Sequence, residues 1–301
     1  MLATYNGERF LRAQLDSLVA QTYPNLEILA VDDRSTDETV AILNHYAAQH
    51  PHIRVVVNDT NLGYIRNFEN GMLLARSDLI APCDQDDIWH PTKLQRLAEA
   101  LGHAEMVYAD SRLIDEHGQP MGVNFSNVRQ LGTFSNCLSF IIGNNVSGHN
   151  MLLTKPLVQR CQPFPLSMPH DQWLCFVAAC SQPVLFLPTV LVDYRQHANN
   201  VFGVTRPADG AKRVRKKVKK QAQRTQLRHR IGLFHATCPP VLTHEKRVLG
   251  RLEKSYQSFT LPNNWLRMVT FFQNQKKLLA TKKYGAFRKA LFCLKMFVQI
   301  R

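Results

Sequence analysis

Over roughly its first 110 residues the chain alternates short strand-like apolar runs with longer amphipathic stretches, and this alternation limits the folds open to it. Glu8–Ala20 places Phe10, Leu11, Leu15, Leu18 and Val19 at helical spacing. Leu26–Val31 is an apolar run that stops at Asp32-Asp33, after which Ser35 or Thr36 can cap a second helix running to Gln49. Ile53–Val57, Leu79–Pro82 and Met106–Ala109 read as further strands, and Tyr64–Ala75 and Thr92–Leu101 as the helices between them. Strands alternating with helices in this way predict an α/β fold with a mainly parallel central sheet. In such sheets ligands bind at the carboxyl ends of the strands. Two acidic pairs or clusters fall at such ends, Asp32-Asp33 and Asp84-Gln85-Asp86-Asp87.

Three carboxylates within four positions repel one another, so a fold tolerates them where a cation neutralises them. Mg²⁺ or Mn²⁺ suits the chemistry, because hard cations take carboxylate and phosphate oxygens together. A solvated acidic turn is the bland alternative, and the strand-end position favours the metal. Asp33 can accept hydrogen bonds from a base or a ribose, or simply cap a helix. Asp171, in Pro169-His170-Asp171-Gln172-Trp173, opens a helix after a proline-rich loop; it is either an N-cap or a general base facing a cleft. His197 and Arg195 share the segment Tyr194–Asn200, where a histidine can ligate a metal and an arginine can meet a phosphate bidentately. No GxxxxGK[ST], GxGxxG or GxSxG run occurs, which disfavours nucleotide kinases, dinucleotide oxidoreductases and serine hydrolases.

Beyond residue 110 the pattern loosens. Ile141–Leu153 has a strand-like frame, Pro163–Pro169 is loop, His170–Cys180 a helix and Val184–Val192 a strand, with Gly203–Gly210 as a hinge. Charge divides at the same place. Residues 1–204 hold 13 Lys+Arg against 20 Asp+Glu, and residues 205–301 hold 24 against 3, so −7 and +21 give the net +14. The expected organisation is a catalytic domain over 1–204 and a basic helical region over 205–301. Seven cysteines with no CxxC pair argue against a disulfide framework or a zinc site and fit a reducing cytosol. No apolar run approaches a membrane span. Only Met1-Leu2-Ala3 precede Thr4, which points to a clipped first strand or a misassigned start.

Ala3–Gly7, Leu15–Gln21, Val31–Asp37, Cys83–Trp89, His170–Trp173 and Tyr194–Asn200 together resemble the family 2 glycosyltransferases of GT-A fold. Their DxDDxW, HDxW and RQH forms are similar to a bacterial rhamnosyltransferase-like branch. The resemblance covers about residues 2–204. It implies a nucleoside-diphosphate-sugar donor, with Ala3, Tyr5, Asp33, Asp84 and Arg195 on the nucleotide sugar. It further implies that Asp86 and His197 hold Mg²⁺ or Mn²⁺, that Asp171 is the catalytic base and that Asp87 supports the loop. The Gly148–Asn150 turn would shape the acceptor side. Ala3 and Arg34 depart from the usual residues at their positions, which are commonly polar and Gly or Asn respectively. The chemistry expected is inverting transfer to a hydroxyl of a surface polysaccharide, lipopolysaccharide or lipid-linked glycan acceptor.

The basic region adds a second expectation. In Tyr284–Ile300 the residues Phe287, Leu291, Leu294 and Val298 form one helical stripe, with lysines and arginines around it. Such a helix can lie in an anionic membrane surface, at the inner face of the cytoplasmic membrane, or else pack its stripe on the catalytic domain. A nucleic-acid partner is disfavoured, since no stacking series or known motif accompanies the charge. Two other functions compete: a sugar-1-phosphate nucleotidyltransferase, for which Gly7-Glu8-Arg9 does not supply the Gly-rich loop with a lysine, and a non-catalytic membrane- or polyanion-binding protein.

Overall fold

The computed structural model describes residues 1–198 and 215–298. The Gly203–Gly210 hinge, the division at 204/205 and the end of the Tyr194–Asn200 motif lie outside the described residues.

The chain opens with β1 (Leu2–Thr4), α1 (Glu8–Val19), β2 (Ile28–Asp32), α2 (Thr39–Gln49), β3 (Ile53–Val57) and α3 (Tyr64–Leu74). The strands form a parallel sheet in the order β1-β2-β3. Every residue of β2 is buried, as expected of a strand covered on both faces. The Ser35 and Thr36 caps do not form. Ser35 turns its Oγ back to Asp32 (2.6 Å), Thr36 takes up Asn6, and α2 starts only at Thr39.

A second sheet is built from β4 (Leu79–Ile80), β5 (Ile88–Trp89), β6 (Met106–Ile114), β7 (Pro120–Asn124), β8 (Met151–Thr154) and β9 (Leu185–Arg195), in the order β4-β8-β6-β9-β5 with β7 on β6. The two sheets touch at Leu2 and Cys83, where Ala3 N donates to Cys83 O at 3.0 Å. The parallel expectation holds for β1–β3 and for β6 with β9, whereas β4–β8, β6–β8, β6–β7 and β5–β9 are antiparallel. Chain connectivity explains part of this: the tight turn at Asp115–Gly118, with Gly118 at φ 83°, reverses β6 into β7, and a parallel partner needs a long crossover. The Ile141–Leu153 frame yields only β8, because its Gly- and Asn-rich first part forms loop and a short 3₁₀ turn at Gly148–Asn150.

The helices α4 (Lys93–Leu101), α5 (Phe125–Val128), α6 (Lys155–Arg160) and α7 (His170–Ala179) complete this half. Helix α7 is buried almost throughout. The helical region follows as α8 (Arg215–Thr237), α9 (Thr243–Gln257), α10 (Leu261–Gln273), α11 (Gln275–Leu278) and α12 (Ala286–Val298). Its buried Ile231, Phe234, Leu249 and Phe271 belong to the same apolar cluster as Phe140 and Phe176. The rings of Phe176 and Phe234 stand 4.5 Å apart. Helix α12 packs Cys293 inward but leaves Phe287 (80%), Leu291, Leu294 and Val298 in solvent, so the alternative in which this stripe packs on the catalytic domain does not hold. Among the described residues no helix is long and apolar enough to cross a membrane.

A shared core makes a falsifiable demand. Phe234→Ala should cost about 3–5 kcal/mol, the usual cost of deleting a buried aromatic ring. Urea unfolding followed by circular dichroism and by tryptophan fluorescence should show one coincident transition. Separate transitions for α8–α12 and for the sheets would contradict a single core.

Candidate active site

The carboxyl ends of β1 and β2 form one wall of a cleft of about 920 Å³. Asp32 and Asp33 divide the work there. Asp32 is fully buried and accepts from Thr4 Oγ1 (2.9 Å), Ser35 N (2.8 Å) and Ser35 Oγ (2.6 Å), so it ties β1 to the following turn. Asp33 accepts from Asn58 Nδ2 (2.9 Å) and Leu62 N (2.7 Å) on Oδ1 and from Gly63 N (2.8 Å) on Oδ2. It lines the cleft with Ala3 and Tyr5. Arg34 follows in a left-handed conformation (φ 67°), which accounts for the preference for Gly or Asn at such a turn.

The acidic loop lies beside them. Gln85 clasps the Tyr5 peptide from both sides, accepting its N–H at 2.8 Å and donating to its carbonyl at 3.1 Å. Asp84 is 42% exposed and opens into the cleft, whereas Asp87 is fully buried. One oxygen of Asp87 accepts the Arg195 N–H at 3.0 Å; the other has no hydrogen-bond partner. His149 Nδ1 stands 3.5 Å from that orphaned oxygen and 3.8 Å from Asp84. Asp84, Asp87 and His149 therefore offer three ligand atoms within 4.8 Å of one another. Asp86 and His197 meet separately, with Nε2 to Oδ2 at 2.7 Å, and His197 packs on Phe10. Desolvation by the protein walls of the cleft, followed by the charges of Asp86 and Asp171, pushes the partly exposed Asp84 up to about 7. Burial and its two acidic neighbours also raise Asp87. An acidic pair of which one member is buried with an orphaned oxygen, facing an imidazole, fits a divalent cation, and the carboxylates suit Mg²⁺ or Mn²⁺. The metal set anticipated from the sequence was Asp86 with His197; the structure adds Asp84, Asp87 and His149 as a second set next to it.

Two basic residues hold this loop from behind. Arg195 was expected on the diphosphate, but its guanidinium is buried and is not among the cleft-lining groups. It donates to the carbonyls of Asp86 (2.8 Å) and, at longer range, Asp115 (3.4 Å) and Glu116 (3.3 Å), and lies over the Phe10 ring. It positions the acidic loop. Lys93, at the start of α4, is fully buried, donates to His149 O at 2.7 Å and sits over the Trp89 ring. Burial depresses its pKa well below that of an ordinary lysine. Sequence reading missed Lys93, Gln85 and the place of His149 beside Asp84 and Asp87. Lys93 looks like a helix-surface lysine by spacing, and His149 is remote from the acidic loop in sequence.

Asp171 sits in the first turn of α7 and lines the same cleft. Its carboxylate accepts Gln172 N at 2.6 Å. Burial lifts it to about 6, with Gln172 N–H, the Asn144 side chain and Arg230 opposing the rise. Its charge in turn raises Asp84, and both residues line the cleft. His170 stacks on Phe68 at 4.2 Å with neither ring nitrogen hydrogen-bonded, and burial lowers it to about 4. A side chain at Gly148 would have to displace this ring, since an added Cβ would lie 2.9 Å from its Nε2. The helical region also reaches the site: Arg230 of α8 donates to the Gln172 side chain directly behind Asp171.

Known proteins share this architecture. The model for glycosyl transferase family 2 matches residues 1–159. An uncharacterized Mycobacterium tuberculosis protein is 31% identical over 210 residues, 66% of this chain and 58% of that protein. The putative glycosyltransferase EpsH of Bacillus subtilis is 27% identical over 212 residues, covering 67% of this chain and 61% of EpsH. The chain thus spans about three fifths of the length of these relatives. Among solved structures, Staphylococcus aureus TarS 1–349 with UDP-GlcNAc superposes with a TM-score of 0.59 at 16% identity, covering 99% of this chain and 80% of that one. The mannosyltransferase PcManGT of Pyrobaculum calidifontis, with GDP-Man and Mn²⁺, gives 0.54 at 17% identity, covering 99% and 84%. At these identities the structural likeness establishes the GT-A-like fold.

The left-handed residue beside Asp33 gives a local test. Arg34→Asn should raise stability by up to about 1 kcal/mol, because Asn adopts this conformation more readily than Arg. The urea midpoint should rise; an unchanged or lower midpoint would remove the strain argument.

Proposed function

The chain belongs to glycosyl transferase family 2, and from that premise we propose that it transfers a sugar from a nucleoside-diphosphate donor to an acceptor hydroxyl, inverting the anomeric carbon. One observation carries this reading: Asp171, in the first turn of α7, lines the same cleft of about 920 Å³ as Asp84 and Asp86 of the acidic loop. That volume suits a nucleotide sugar. TarS and PcManGT, which share the fold, hold UDP-GlcNAc and GDP-Man with Mn²⁺ respectively, and this supports the donor class.

In this reading Ala3, Tyr5 and Asp33 take the nucleoside and Asp84 the ribose and diphosphate side. Asp84, Asp87 and His149, with Asp86 and His197 beside them, would hold Mn²⁺ or Mg²⁺. The cation supplies neutralisation of the charge that develops on the diphosphate leaving group. Arg195 and Lys93 keep the loop in place. Asp171 accepts the proton of the acceptor hydroxyl as its oxygen attacks C1 from the face opposite the diphosphate, so one displacement inverts the centre. Rhamnose as the sugar rests on the DxDDxW, HDxW and RQH signatures alone, and an acceptor in surface polysaccharide or lipopolysaccharide assembly on the same resemblance.

A membrane-borne acceptor agrees with the outer face of α12. Phe287, Leu291, Leu294 and Val298 are exposed in a region carrying +21 between residues 205 and 301, counted as 24 basic minus 3 acidic. Basic amphipathic helices of this kind bind anionic bilayers. The protein would then work as a peripheral protein at the inner face of the cytoplasmic membrane.

Release of nucleoside diphosphate from a panel of nucleotide sugars, with Mn²⁺ and a lipid-linked acceptor fraction, tests the activity. No turnover across the panel would refute it. Asp171→Asn should lower kcat by about 10²–10⁴-fold, the usual weight of a general base. The base form exists above its pKa near 6 and is lost as pH falls through it, so kcat/KM should fall about tenfold per pH unit below that point. Dialysis against a chelator should abolish turnover, and Mn²⁺ should restore it. Separately, wild type should float with anionic vesicles, and Phe287→Ser/Leu294→Ser should float less. Equal flotation would remove the membrane role.

A further inference from the structure

Three cysteines that are far apart in sequence meet where the catalytic half joins the helical region. Cys137 begins the 3₁₀ turn Cys137–Phe140, Cys180 ends α7, and Cys238 follows α8. Their Sγ atoms all lie within 4.8 Å of one another. Cys137 and Cys238 are buried, and Cys180 is partly open to solvent. Cys83, Cys161, Cys175 and Cys293 stand outside this group. No CxxC pair announces it, which is why the cysteine spacing argued against a metal.

We propose that Cys137, Cys180 and Cys238 bind a thiophilic cation, Zn²⁺ in its ordinary setting, as a structural clip between the two halves. Thiolate sulfur selects soft or borderline cations over Mg²⁺ and Mn²⁺, so this site and the acidic loop draw on different metals. Zn–S bonds of about 2.3 Å in tetrahedral geometry bring sulfurs to about 3.8 Å apart. The thiols therefore need to close by roughly 1 Å at most, within reach of side-chain rotation. Binding replaces three S–H protons, which leave to solvent, and forms three metal–sulfur bonds with no change of oxidation state. The open side of Cys180 provides the entry path and room for water as the fourth ligand. Glu245 stands close by, its Oε1 accepting from Asn136 Nδ2 (2.8 Å) and Lys277 Nζ (2.9 Å). Lys246 donates to the carbonyl of Cys238 at 2.9 Å and so fixes the third ligand's backbone.

The placement gives the clip a consequence. Helix α7 carries Asp171 in its first turn and Cys180 at its end. Cys238 closes α8, the helix that sends Arg230 behind Asp171. A cation at the cluster would fix both ends of that arrangement at once.

The test uses the full-length protein, stripped of metal and kept in a phosphine reductant, with Cd²⁺ as the probe. Cd²⁺ should give a thiolate charge-transfer band in the ultraviolet, saturating at one equivalent per chain and displaced by Zn²⁺. Cys238→Ser and Cys137→Ser should each weaken Cd²⁺ binding by at least about tenfold, since losing even a group that only orients a ligand costs that much. Cys161→Ser and Asp84→Asn should leave the band unchanged. Should a cluster variant fail to fold, alkylation of the wild type decides: Cd²⁺ should protect Cys180 from iodoacetamide. Absence of a band in folded wild type, a band that survives Cys238→Ser, or closure of a disulfide on air oxidation with no metal uptake under reduction would each overturn the proposal. None of these readouts depends on glycosyl transfer, so they stand apart from the activity.

Discussion

Repulsion among Asp84, Asp86 and Asp87 is the constraint around which the site is arranged. Three carboxylates on one loop cannot be left in a low-dielectric interior unless something opposes their charge. The fold answers with groups from distant parts of the chain. Lys93 is buried beneath the loop, the Arg195 amide takes one oxygen of Asp87, and the Arg195 guanidinium holds the Asp86 carbonyl. His197 takes Asp86. One oxygen of Asp87 and the open face of Asp84 remain, both next to His149. The protein compensates its acidic loop only in part, and the residual demand for positive charge faces the cleft.

The same loop links the two sheets. Gln85 grips the Tyr5 peptide, and Cys83 accepts from Ala3 directly upstream of the acids. The short strand β1 is therefore held by β2 on one side and by the acidic segment on the other. The Tyr5 end and the acidic end of the cleft are fixed to one another by contacts to the main chain, which would suit the proposed donor site. Opposite them, α7 is fixed by burial: Trp173 and Phe176 stack towards Phe234 of α8, and Trp173 also donates to Cys161 O. Helix α7, with Asp171 in its first turn, is thus held because the helical region completes its core.

Local pattern explains what could be read in advance. Helix α1 and the strands around it were legible because apolar spacing and strand-end acids are short-range signals. Asp33, Asp84 and Asp171 were legible as cleft residues because each ends a strand or opens a helix, positions that topology turns towards a ligand. Arg195 shows where such reading stops: its motif neighbours Tyr194 and His197 line the cleft, but its guanidinium donates to the Asp86 carbonyl under the loop. The mixed direction of the second sheet was not legible either, since β6 and β8 pair across a loop whose path no local propensity dictates.

By itself, the sequence determined the alternating α/β half, the acidic loop and its strand-end placement, the helix carrying Asp171 and the charge division between the two parts. These follow from periodicity and composition, which are properties of neighbouring residues. Only the tertiary structure decided that His149 faces Asp84 and Asp87, that Lys93 lies beneath them and that Cys137, Cys180 and Cys238 converge. The same holds for the outward face of α12. Each of these depends on segments far apart in the chain being brought together by packing, and the energy that selects the pairing is burial summed over the whole core.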